Sequence, residues 1–426
     1  MTPDAQATTC SNILLKQQKP RPPLRILAIF FHPSASVTAM GGAEKRFVET
    51  LRFFCKRKDL AITVLESSPS LLKGPSITCK RHLLPSGFRG KGWLSTYLGW
   101  ILWTLRATIK NIGLAQDDVP SAVFVSNNTL PNLLSGYATS FVLRLPLWVI
   151  VHHIDTPCSN VEEPKGYSLY SCYRSIEYGR LVSLVKTFAF YTTLFFLKKT
   201  DGIIAVSNST AKTLRNNGVS DVRIFVSGNA VDVDFINNAD PQDDKETYDG
   251  VFVGRIAREK GVFDLVEVWR EVVKIRKQAR LLIIGNGLEL SSLRRKIAES
   301  SLEGNVFLKG HCNDKELGSL LQSSRVFIFP SLFEGWGLAV AEALASGLPV
   351  VAYDIPALRE NFGKCESVFL VQVKNVERMA STVLEILDSS KAEADRLSFS
   401  SRTFAKQFTW KEVAEMDLEA LMTSQK

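Results

Sequence analysis

At 426 residues, 45% hydrophobic and 22% charged, the chain is too long for one ordinary domain and too apolar for a disordered one; two folded domains are expected. The net charge of +9 is unevenly spread, with 27 basic against 15 acidic residues up to position 239 and 25 against 28 after it, which suits anionic lipid, nucleic acid or a phosphorylated substrate, or simply a soluble basic face. Seven scattered cysteines without a Cys-x-x-Cys pair argue against a zinc site or a disulfide framework and for reduced thiols in a cytoplasmic setting.

Residues 1–23 lack an apolar core of signal-peptide length and read as a flexible polar tail. Leu24–Phe31 (LRILAIFF) reads as a buried parallel strand, closed by His32-Pro33. The pair Gly41-Gly42 then opens a helix with Phe47, Val48, Leu51 and Phe54 near helical spacing. AITVLES and SITCKRHLL follow as short strands, WLSTYLGWILWTLRATIKNIG as a long apolar helix, AVFVSN as a strand, and LWVIVHH as a strand ending in two histidines. Leu181–Leu197 is apolar, but it carries Lys186 and falls short of the about 20 residues that span a bilayer. It is expected to be a core helix or one lying at an interface, as is Trp93–Ile112 with its three tryptophans and basic end. A strand and helix in GIIAVSNSTAKTLRNNGV and the segment VRIFVSGNAVDVDFI complete a first α/β domain, residues 24–239.

The polar, acidic stretch 240–248 reads as a linker. A second α/β unit, 249–408, then places strands at DGVFVGRI, ARLLIIGNG, NVFLKGH, RVFIFPS, PVVAYD and SVFLVQ, with helical stretches between them. A final helix in 409–426 is expected to pack back on the first domain.

Three motifs carry chemistry. In GGAEKR, glycines after a strand and before a helix free backbone N–H groups for phosphate, although such turns are common. VGRIAREKG puts Arg255 and Lys260 just after a strand, where doubly wound sheets bind ligands; a guanidinium fork and a compact ammonium suit a diphosphate, with a solvated basic loop neutralised by Glu259 as the bland alternative. The third is FPSLFEGWGLAVAEALASGLPVVA, with Glu334 and Glu342 eight residues apart. A glycosidase pair sharing one bond would stand about 5–5.5 Å apart, whereas eight helical residues span about 12 Å. The two carboxylates therefore fit separate contacts along one extended ligand. Glu342, set among alanine, valine and leucine, needs hydrogen-bond donors. Sugar hydroxyls are such donors, and Gly335 and Gly337 would admit the ligand; otherwise Glu342 faces water or pairs internally.

These motifs, in this order, resemble those of the retaining glycosyltransferases of family 4, most strongly over Asp249–Glu360. The resemblance implies the GT-B architecture: two facing Rossmann-like domains with a nucleotide-sugar in the cleft, no metal or other cofactor, and transfer of a hexose from a UDP- or GDP-linked donor to a glycan; the basic half and the two aromatic-rich helices suit a lipid-linked one. It implies that Arg255 and Lys260 hold the leaving diphosphate, with Gly41, Gly42 and Gly254 beside it. It implies that Glu334 approaches the donor sugar, that the backbone of Gly335, Trp336, Gly337 and Leu338 meets sugar or phosphate, and that Glu342 binds the ribose. Gly285, Asn286 and Gly287 fall near the base, and His152, with His153 as fallback, contacts the sugar.

Two departures stand out: Ala230 in GNAVD, and Pro356-Ala357 before Glu360, each where the family has glycine. Asp232-Val-Asp234 looks like a metal-binding Asp-x-Asp but falls in the family's interdomain segment. Tyr167, Tyr170, Tyr173 and Tyr178 either frame an acceptor or simply form a packed loop, and the basic half with its aromatic-rich helices suits peripheral contact at the cytoplasmic face of a membrane. Nucleic acid is disfavoured, since no basic groove with interleaved aromatics is present. A GT-B-shaped sugar-nucleotide epimerase and a non-catalytic nucleotide-sugar-binding protein are the alternatives.

Overall fold

A computed structural model describes residues 23–32, 41–68, 72, 77–85, 93–154, 168–175, 178–233 and 247–423. The expected tail, most of the linker, Asp234 and Tyr167 lie outside these residues.

The first domain is a parallel sheet of seven strands in the order β3-β2-β1-β4-β5-β6-β7: β1 (Leu24–Phe30), β2 (Leu60–Glu66), β3 (Lys80–Leu83), β4 (Ala122–Val125), β5 (Leu147–Val151), β6 (Gly202–Ala205) and β7 (Ile224–Val226). The second is a parallel sheet of six, β10-β9-β8-β11-β12-β13, built from β8 (Tyr248–Val253), β9 (Leu281–Ile284), β10 (Val306–Gly310), β11 (Ser324–Phe329), β12 (Val350–Tyr353) and β13 (Val368–Val371). The central strands β4, β5, β6, β9 and β12 are buried along their whole length, which is why they read as unbroken apolar runs. In each sheet the strand order reverses once, between β1 and β4 and between β8 and β11, and a doubly wound sheet opens its ligand crevice at the carboxyl ends there.

In the first domain α1 (Gly42–Phe54) buries Phe47, Val48, Leu51 and Phe54 against the sheet. The other face carries α2 (Trp93–Asp117), α3 (Leu130–Leu143) and α5 (Arg180–Leu197), with α4 (Leu169–Ser175) packed on α5 and α6 (Asn208–Asn216) following β6. Leu181–Leu197 thus lies along the domain, burying Phe190, Leu194 and Leu197. The helix α3 was not legible in the sequence: NNTLPNLL has the look of a loop, yet Pro131 falls in the first turn, where a missing N–H costs nothing.

The second domain adds α7 (Val262–Ile275), α8 (Leu290–Glu299), α9 (Asp314–Gln322), α10 (Leu338–Ala345), α11 (Pro356–Phe362), α12 (Val376–Leu387) and α13 (Lys391–Ala405). The last helix, α14 (Trp410–Thr423), packs on α1 and β6 of the first domain, and one hydrophobic core runs from Phe30 and Phe47 through Ala414 and Leu418 into the second sheet. Cys55, Cys79, Cys312 and Cys365 are free, but Cys172 is disulfide-bonded, a departure from the expectation of reduced thiols throughout.

Candidate active site

The reversal in the second sheet sets the loop after β8 beside the loop after β11. There Lys260 Nζ lies 2.5 Å from Glu334 Oε1, and the Ser331 hydroxyl donates to the same oxygen at 3.0 Å. Both charged side chains are mostly shielded, at 16% and 13% exposure. The pair is held by backbone: Leu332 N–H donates to the Glu259 carbonyl, and Gly261 takes φ +65° with its α-carbon so close to Pro330 that an added Cβ would sit 1.9 Å from the Pro330 oxygen. Arg255, by contrast, is 60% exposed, and its Nη2 is 3.6 Å from Glu259. Burial raises the Glu259 pKa, but the Tyr178 hydroxyl and Arg255 outweigh it and hold the carboxyl below its ordinary range. Tyr178 comes from the first domain and donates to Glu259 Oε2 at 2.6 Å.

Glu342 is buried on α10 and pairs internally: Lys45 of α1 reaches across the cleft to its Oε1 at 2.8 Å, with Asp314 Oδ2 at 3.5 Å on the other side. Burial alone would lower the Lys45 pKa, yet the two carboxylates hold its ammonium above the ordinary value. No side chain caps α1 at Gly41 or α10 at Gly337. A Cβ on Gly42 would stand 3.3 Å from Leu338, so two helix N-termini, one from each domain, converge on the cleft; such ends favour negative charge, and at α1 the Glu44 carboxylate already lies against Gly41.

His152 ends β5 opposite the Glu334 loop, its Nε2 3.3 Å from the Ser126 carbonyl oxygen. Lost hydration, helped by the Arg46 guanidinium, pushes its pKa down to about 3. The ring is therefore neutral at physiological pH, with the proton on Nε2 and Nδ1 as acceptor. The unfolded chain protonates this histidine near 6.5, so between pH 6.5 and about 3 it binds a proton that the native state refuses. Stability is expected to fall as pH drops through that window, and His152→Gln to remove part of the slope in denaturant titrations at stepped pH; an unchanged slope would contradict it.

The glycines around the cleft are needed first for chain-to-chain contact. An added Cβ would lie 1.5 Å from the His152 oxygen at Gly335, 1.9 Å from the Gly254 oxygen at Gly285 and 2.1 Å from the Ile256 oxygen at Gly287. Gly335 thus seats its loop against the end of β5, where Ser207 donates to its carbonyl at 2.6 Å. At Gly337, φ is +105° and Leu358 and Phe362 close the space. The Trp336 indole is buried and packs edge-on against Phe362 and Phe408. Asn286 is exposed at the tip of its loop. Glu360 accepts from the backbone N–H groups of Asn208 and Ser209, each at 2.7 Å, so it caps α6 of the opposite domain. Among the described residues no cluster of three or more His, Cys, Asp or Glu is placed to hold a metal ion.

Lys45 and Ser207 are the cleft residues that sequence reasoning did not assign, whereas Tyr178, a candidate to frame an acceptor, spends its hydroxyl on Glu259. Lys45 stands three residues after Gly42, and its position in the first turn of the glycine-opened helix was the available signal.

Two facing doubly wound domains with this crevice between them define the GT-B architecture. Solved structures of that shape agree with it: the crystal structure of Anabaena Alr3699/HepE in complex with UDP and glucose superposes with a TM-score of 0.67 at 16% identity, covering 93% of this chain and 99% of that one. Sucrose-phosphate synthase from Thermosynechococcus elongatus gives 0.70 at 19%, covering 95% and 100%.

In sequence, residues 40–235 match Glycosyltransferase Family 4 and residues 235–402 match Glycosyl transferases group 1, and the chain belongs to this glycosyltransferase family. Among curated relatives, poly(glycerol-phosphate) alpha-glucosyltransferase of Bacillus subtilis is 31% identical over 37% of this chain. GDP-mannose:cellobiosyl-diphosphopolyprenol alpha-mannosyltransferase of Xanthomonas oryzae is 27% identical over 38%. The matches span only 23% and 43% of those proteins' own lengths.

Proposed function

We propose that the protein is a retaining glycosyltransferase that moves a hexose from a UDP- or GDP-linked donor to a hydroxyl of a lipid-linked glycan. The observation that carries this reading is the Lys260–Glu334 pair at the strand-order reversal of the second sheet, facing the uncapped N-termini of α1 and α10. On this reading the donor's diphosphate lies between those helix ends. Lys260 and Arg255 neutralise the charge that builds on it as the glycosidic bond breaks, and preorganised N–H groups add to that stabilisation. The acceptor hydroxyl attacks the anomeric carbon from the face the diphosphate leaves. Glu334, tied to Lys260 and Ser331, orients the sugar, and neutral His152 offers an acceptor to a sugar hydroxyl. Glu342 meets the ribose once Lys45 yields part of its hold.

The choice of UDP or GDP rests on relatives and structural neighbours: HepE was crystallised with UDP, and the Xanthomonas enzyme is named for GDP-mannose and a polyprenol acceptor. The test is a panel of UDP- and GDP-hexoses incubated with and without polyprenyl-diphosphate glycans. A new product that requires the acceptor is expected. Conversion of the donor alone would favour an epimerase, and binding without conversion a non-catalytic role.

A further inference from the structure

The outer face of the first domain is as apolar as its interior. There α2, α3 and α5 lie side by side over the sheet, with Trp103, Ala107, Leu133, Phe190 and Leu194 in the core beneath. Outward, α2 exposes Leu98, Ile101, Leu102, Leu105 and Ile109. On α5, Leu181, Leu184, Phe188, Tyr191 and Phe195 recur every three or four residues along one exposed stripe, and α3 sets Phe141 and Val142 between the two helices. Exposure reaches 71% at Phe188, 72% at Ile109 and 74% at Phe141. Single exposed apolar residues are ordinary, but contiguous rows on three neighbouring helices mark a surface that meets something.

The charge on this face selects the partner. Across the three helices the first acidic residue of α2 is Asp117, its last, and α3 and α5 have none. Arg106, Lys110, Arg144, Arg180, Lys198 and Lys199 stand exposed on the helices or at their ends. Apolar rows bordered by cations match the boundary of an anionic bilayer, where the apolar side chains enter the acyl region and Lys and Arg reach the headgroups. A second copy of the chain would instead oppose like charges. Although α5 is apolar enough in its 18 residues to cross a membrane, its Phe190, Leu194 and Leu197 are committed to the core, so it lies in the plane of the surface.

We propose that the α2–α3–α5 face docks the protein on an anionic lipid bilayer. The α5 end of this face begins just after Tyr178, which bonds Glu259 beside Arg255, so the docked surface runs up to the mouth of the cleft. That a lipid-borne acceptor enters there rests on the transferase reading; the docking does not.

The test is flotation of the full chain with vesicles of phosphatidylcholine alone or mixed equally with phosphatidylglycerol. Binding to the anionic vesicles, weakened by salt, is expected. The double substitution Ile101→Asp with Phe188→Asp should lower it by about tenfold or more, and Arg106→Glu with Lys110→Glu should lower anionic binding selectively. All four side chains are exposed, so circular dichroism should show intact folding. No vesicle binding, equal binding of wild type and variants, or a concentration-dependent dimer broken by the same substitutions would overturn the proposal. Transfer to a water-soluble, short-chain polyprenyl-diphosphate glycan in vesicle-free solution tests the transferase reading separately, since docking variants should leave it unchanged.

Discussion

Lys260→Ala is expected to lower turnover by about 10²–10³-fold, the usual effect of losing a preorganised group that meets charge developing in the transition state. The ammonium sits in the short 3-10 turn Arg258–Lys260 that follows β8, and its partner Glu334 is equally shielded. It therefore works in a site from which most water is excluded, where a charge acts more strongly than on an open surface. Removing it leaves Glu334 with the Ser331 hydroxyl as its remaining hydrogen-bond donor in the loop, so thermal denaturation should be followed alongside kinetics. Arg255, 60% exposed, should matter less before the donor binds and most in kcat. Near-normal transfer by a folded Lys260→Ala protein would remove the diphosphate role from this residue.

Asp417→Ala should destabilise the protein by about 3–5 kcal/mol, the range for stripping one partner from a buried ion pair. Arg46 Nη2 and Asp417 Oδ1 are 2.9 Å apart, with both side chains fully buried. Ser227 Oγ and the Gly228 carbonyl accept from Arg46 and the Thr50 hydroxyl donates to Asp417, while Arg46 Nη1 is buried without a hydrogen-bond partner among the described residues. The pair ties α14 to α1, the helix whose first turn reaches the cleft through Lys45. Without Asp417 the guanidinium is left as a buried unpaired charge. The double substitution Arg46→Met with Asp417→Leu should recover most of the loss, because neither charge then remains. Denaturant titration of the three variants checks this; a single variant within about 1 kcal/mol of wild type would contradict it.

The sequence made the two domains legible because their buried strands are short apolar runs at regular intervals, and it exposed Lys260 and Glu334 because each belongs to a compact local motif. What it concealed depends on distance along the chain. Lys45 and Glu342 are 297 positions apart, and no local pattern announces that one neutralises the other. Gly335 suggested room for a ligand; its lack of a side chain is first required by the His152 carbonyl, a contact between domains. Trp336 sits inside a motif yet spends its ring on Phe362 and Phe408. Leu181–Leu197 was legible as apolar, but only the fold shows which residues line the core and which face outward.

The most direct test of the central claim is the anomeric configuration of the transferred sugar, read by proton NMR on the product formed from an α-linked UDP- or GDP-hexose and a polyprenyl-diphosphate glycan. An acceptor-dependent product with the α configuration kept is the result predicted by a diphosphate leaving toward Lys260 and Arg255 with attack from the same face. A β-linked product, or no transfer from any donor by the folded protein, would contradict it.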